Sequence, residues 1–138
     1  MIQRLLLSFF AIIALLASNP AAAEVKIDIT RGVVEPIPVA IPAFYGSGGN
    51  EAQFGRDIAK VVAADLTRSG LFAAIDKRSF IQDRASLQVA PRFADWRVLN
   101  AQALVVGRVE AQRDGRLKVE FRLWDVFGEQ QMAGLAYF

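Results

Sequence analysis

A chain of 138 residues with 16 basic and 14 acidic side chains carries a formal charge of +2, and it contains neither histidine nor cysteine. Those absences exclude a Ser-His-Asp triad, a cysteine nucleophile, the common zinc sites and any disulfide. So small a net charge leaves no electrostatic footprint for nucleic acid, and the length suits one domain whose core holds by packing alone.

The first 23 residues read as an export signal. Arg4 and the amino terminus form a positive n-region, and Leu5 to Leu16 is apolar, broken only by Ser8. Asn19-Pro20 then ends any helix, because the residue before proline is pushed out of the α region. Ala21 and Ala23 are the small residues a signal peptidase needs, so cleavage is expected between Ala23 and Glu24. The apolar core falls short of the roughly 20 residues that span a bilayer, and no later segment reaches that length. The competing reading is an uncleaved N-terminal anchor. Loss of Arg4 with the signal lowers the charge to +1, so the whole-chain pI of about 9.3 and the mean hydropathy of +0.29 both overstate the processed protein. A leader of this type, with no lipobox cysteine and no later span, predicts a soluble periplasmic protein with no transmembrane segment after processing.

From Glu24 the chain alternates. Val25, Ile27 and Ile29 fall on one side, and Lys26, Asp28 and Thr30 on the other, the period-two pattern of a half-buried strand. Arg31-Gly32 interrupts it, and Val33, Val34 and Glu35 complete a tip hinged from the rest of the domain. Two readings stand: an ordinary first strand of the domain's own sheet, or a strand free to pair with another chain. Val33 to Phe44 is apolar, with Ile37, Val39 and Ile41 on one face and prolines at 36, 38 and 42. Proline donates nothing to a ladder, so a short strand with prolines at its ends is expected. Tyr45-Gly46-Ser47-Gly48-Gly49 could cradle a phosphate at a helix N-terminus. It lacks the Gly-Lys-Ser/Thr ending of a P-loop and any GxGxxG, so a plain loop is the expectation.

A long helix comes next. Asn50 is the expected cap and Gln53 its capping-box partner. Phe54, Ile58, Val61, Val62 and Leu66 make one apolar stripe, and Gly70 supplies a left-handed end with Leu71 folding back on Leu66. Arg56, Asp57, Lys60 and Arg68 read as a solvated face. Phe72 to Ile75 is a short strand, and Asp76 to Ala90 reads as loop with at most one helical turn. Pro91 opens a second helix at its first position, with Phe93, Trp96 and Leu99 or Asn100 inward and Asn100 as the left-handed stop. Trp96 could be a stacking platform, but its spacing from Phe93 favours core.

The last third reads as an antiparallel meander. A two-residue turn between Ala103–Gln112 and Arg116–Trp124 would mix the faces of the two strands. A three-residue loop, Arg113-Asp114-Gly115 with Gly115 left-handed, sets Val109 on Val119, Val105 on Leu123 and Ala111 on Leu117. It also sets Glu110 against Lys118 and Arg108 against Glu120, so it is the expected register. Gly107 then lies opposite Phe121, leaving room for the ring. Gly128 marks the next turn and Gln130 to Phe138 a third strand, whose bare end at Phe138 reads as truncated. The fold class is therefore α/β (α+β), a mixed sheet with two helices packed on it. The acidic pairs Asp57 with Asp65 and Asp114 with Asp125 do not converge in an apolar cleft as acid–base chemistry requires; no catalytic residue, cofactor or metal ligand is assigned.

Several blocks together carry a resemblance. They are Glu24-Val25-Lys26-Ile27-Asp28-Ile29, Pro36 to Phe44, Ala64-Asp65-Leu66-Thr67-Arg68-Ser69-Gly70-Leu71-Phe72 and Ala103-Leu104-Val105-Val106-Gly107-Arg108-Val109. In order and spacing the chain resembles the TolB family over residues 24–138, where it matches the N-terminal domain and lacks the β-propeller and the helix before it. The resemblance implies an anticodon-binding-like fold. It also implies a place in the periplasmic Tol–Pal system of Gram-negative bacteria, which supports outer-membrane integrity and constriction during cell division. It implies that the tip from Glu24 to Glu35 binds the C-terminal domain of TolA, and that the lipoprotein Pal is met only through the propeller. Asn100 stands where the family commonly has glycine. The alternatives are a TolB-like envelope-assembly factor without a propeller, a non-catalytic binding module of other specificity, and, last, an enzyme using Asp57 or Asp65.

Overall fold

The computed structural model describes residues 35–138. Its elements are β1 (Ile37–Ala40), β2 (Tyr45–Gly46), α1 (Gly49–Arg68), β3 (Phe72–Ala74), a 3-10 turn (Lys77–Ser79), α2 (Arg84–Val89), α3 (Phe93–Val98), β4 (Ala103–Ala111), β5 (Leu117–Asp125) and β6 (Gln130–Tyr137). The strands form one mixed sheet in the order β3-β1-β4-β5-β6, with β2 also on β4. β1 runs parallel to β3 and β4, β2 runs parallel to β4, and the last three strands form an antiparallel meander. The mixed α+β class is as expected, with three helices where two were expected.

Side-chain alternation divides the core between the two faces of the sheet. Val39, Ile41, Phe44, Val105 and Val109 pack with Ala59 of α1, while Ala40, Leu104 and Val106 pack with Leu87 of α2 and Trp96 of α3. β4 is therefore buried on both faces, which is why Leu104-Val105-Val106 is a continuous apolar run rather than an alternating one. The hairpin register is the expected one throughout, from Ala111 opposite Leu117 to Val105 opposite Leu123. Gly115 is left-handed at φ 85°. On the outer face, Glu110 lies opposite Lys118 and Arg108 opposite Glu120, yet the ion pairs run along each strand, from Arg108 to Glu110 and from Lys118 to Glu120.

Several local expectations give way. The cap of α1 is Gly48, and the residue reaching back is Glu51, not Gln53, whose amide instead bonds Asp57. Tyr45-Gly46, expected as loop, pairs with Arg108 and Val109. Pro38 sits inside β1; its carbonyl accepts from Gln102 just before β4 begins, so its nitrogen faces a place where no strand awaits a donor. The space over Gly107 is filled by the Phe44 ring rather than by Phe121. Gly70 ends α1 as expected, but Leu71 stays exposed, because the Ser69 hydroxyl donates to Leu66 O and accepts from Leu71 N. Asp83 caps α2 where loop was expected, and Pro91 precedes α3 instead of opening it. Asn100 (φ 57°) does end the segment, and the second turn uses Glu129 (φ 54°) rather than Gly128 as its left-handed residue.

Candidate partner-binding surface

The predicted tip falls almost wholly outside the described residues: Ala23 and Glu24 through Val34 lie there, and with them the cleavage junction. Glu35 is described and is exposed, two residues before β1. The carboxylates weighed for catalysis are each engaged close to home. Asp57 accepts from Gln53, Asp65 pairs with Arg68 and Asp114 with Arg116. Asp125 Oδ1 accepts from the backbone of Phe127 and Gly128. The structure brings neither predicted pair together, and among the described residues no cluster of three or more acidic groups could hold a metal ion.

The glycine-rich stretch is occupied by protein. Glu51 Oε2 accepts from Ser47 N at 3.0 Å, Ser47 Oγ at 2.6 Å and Gly48 N at 3.2 Å, while Oε1 accepts from Ala111 N at 2.6 Å. These donors, Ala111 N first, pull the Glu51 carboxyl down to about 2. A carboxylate standing at the helix N-terminus leaves no room for a phosphate there. A Cβ on Gly46 would meet the Glu51 backbone at 2.4 Å, so the glycine permits the close approach.

Two features that sequence reasoning missed shape the surface. Gln82 is buried, accepts from Trp96 Nε1 (3.0 Å) and Arg92 N (2.8 Å), and donates to Ala90 O (2.9 Å). It thereby fixes Trp96 as core, as its spacing suggested. Nothing in the surrounding polar stretch singled it out. The second feature is an apolar trough of about 800 Å³ between α1 and the open face of β5 and β6. Ile58, Val62 and Leu66 form its helix wall, and Val119, Phe121 and Leu123 its floor. Its signal was the width of the α1 stripe. Gly55 and Ala59 face the sheet, so Phe54 and Val61, expected to be inward, lie outside it and exposed. β6 borders the trough as the outermost strand and is exposed along its whole length.

Among the described residues no helix is long and apolar enough to cross a membrane. Residues 25–132 match the family model of the TolB amino-terminal domain. The chain is 57% identical over 125 residues to the Tol-Pal system protein TolB of Paramagnetospirillum magneticum, covering 91% of this chain and 28% of that protein. Among solved structures it is similar to TolB from Acinetobacter baumannii, with a TM-score of 0.59 at 22% identity over 75% of this chain and 23% of that one. It is also similar to the lipoprotein GNA1162 from Neisseria meningitidis, with a TM-score of 0.56 at 14% identity over 74% and 77%. Both structural likenesses are of fold. The chain thus spans little more than a quarter of the curated relative.

Proposed function

This chain belongs to the TolB amino-terminal domain family, and from that premise we propose that it acts in the periplasm as a non-catalytic interaction component of the Tol–Pal envelope system. In this role it supports outer-membrane integrity and constriction during division. The first 23 residues direct export and are removed, and the new tip, Glu24 to Glu35, lends a strand to the C-terminal domain of TolA. Docking of Pal belongs to the propeller of longer relatives, not to these residues.

The observation that carries the reading is that the family match starts at residue 25, directly after the Ala23–Glu24 junction, on the alternating Val25, Ile27 and Ile29. An extended segment adds to an exposed sheet edge through backbone bonds, and its alternate side chains give specificity. Ordering about seven residues costs roughly 7–14 kcal/mol of backbone entropy, so affinity is modest and exchange fast. Fast exchange suits a component that engages and releases its partner.

The test is calorimetry of the processed chain against the TolA C-terminal domain. Binding is expected to vanish when residues 24–35 are deleted and to weaken about tenfold, or roughly 1.4 kcal/mol, in Ile27→Asp. Unchanged binding by the deletion variant sinks the reading. The intact mass of the exported protein separately checks that the chain begins at Glu24.

A further inference from the structure

We propose that the trough between α1 and β5–β6 is the contact surface for a second copy of this chain, packed face to face about a two-fold axis. The apolar arc of α1 runs past the part that meets the sheet, through Ile58, to Phe54 and Val61, so the helix is patterned for more cover than its own sheet supplies. Across the trough, Phe127, Met132 and Tyr137 stand on the lip, with Leu135 on the same face by register with Phe121. These six side chains are each between 43% and 62% exposed. Their surface comes to roughly 800 Å² per copy, the size of a standard stable interface.

Three observations select a second copy over a partner of different chemistry. The surface is self-complementary, because a concave trough and a convex lip lie side by side on one face. A two-fold axis seats the lip of each copy in the trough of the other. Such an axis also brings identical groups together, which penalises any charge near it; Gln130 to Phe138 carries none. The one charged residue lining the trough, Asp125, is already bonded to the turn at Phe127 and Gly128, so no side chain there waits for an ionic partner. Sheet-on-sheet packing then covers the apolar face of β6.

The experiment is light scattering on the processed protein purified from the periplasm, over a range of micromolar concentrations. A mass of two chains is expected. Val61→Lys and Met132→Lys, both at exposed positions the fold tolerates, are each expected to weaken pairing about tenfold or more. Val98→Lys, exposed on α3 beyond the opposite face, is expected to leave it unchanged, as is deletion of residues 24–35. Circular dichroism confirms that each variant is folded. A monomer throughout the range overturns the proposal. So does a dimer that survives both trough variants, which would place the contact at the free edge of β6, and so does loss of pairing on deleting residues 24–35.

Discussion

Glu51 ties three parts of the chain with one carboxylate: the turn at Ser47 and Gly48, the first turn of α1 and the end of β4. Its folded value of about 2 lies below the ordinary 4.5. The stabilisation is therefore complete above pH 4.5 and is lost as the pH falls through about 2. Glu51→Gln is expected to lower the melting temperature at neutral pH and to flatten the acid limb between those values, as thermal melts against pH will report. Gln82 is the second residue on which much turns. Gln82→Leu strands the Trp96 indole N–H, the Arg92 N–H and the Ala90 carbonyl in a buried site. At about 1–3 kcal/mol for each unmet group, partly relieved by relaxation, a loss of about 3 kcal/mol is expected in urea unfolding. A loss below about 1 kcal/mol would show that the hub is dispensable.

At the scale of elements, the packing of α1 on the sheet is set by Gly55. Phe44 N donates to Gly55 O at 3.0 Å, and a Cβ on Gly55 would lie 2.1 Å from Phe44 O. Glycine to alanine inside a helix ordinarily gains about 1 kcal/mol. Here Gly55→Ala is expected to lose stability, because the clash is with backbone and the helix must lift off Phe44. A gain in denaturant midpoint would refute this close approach. The β4–β5 hairpin depends on Gly115 at φ 85°, so Gly115→Ala is expected to cost about 1–2 kcal/mol. This hairpin was fully legible in the sequence, since both faces of two nine-residue strands agree in one register only. The orientation of α1 was not. Hydrophobic weight along its stripe favours Phe54 and Val61, whereas close packing seats the small residues Gly55 and Ala59 against the sheet.

For the described part of the molecule, burial falls from the middle of the sheet to one edge. Leu104, Val106 and Val109 of β4 are sealed by helices on both faces, while β6 is exposed from Gln130 to Tyr137. Amide exchange is expected to track that gradient, slowest in β4 and fastest along the outer edge of β6. Pairing of two copies through the trough would slow exchange in α1 and β6 with concentration, leaving β4 unchanged. Uniform protection across the sheet would contradict the gradient.

The strand pattern, the antiparallel meander with its register, the left-handed stops at Gly70, Asn100 and Gly115 and the core role of Trp96 were determined by the sequence alone. Each rests on local geometry or on a period-two pattern that permits a single solution. Only the tertiary structure decided that Glu51 caps α1, that Pro38 lies within β1, that Gln82 organises the α2–α3 side and that a trough stays open beside β6. Those outcomes depend on which distant backbone groups come within reach, Ala111 of Glu51 across 60 residues and Gln102 of Pro38 across 64. No local periodicity encodes such meetings, because the chain must first close those loops before the side chains can choose their partners.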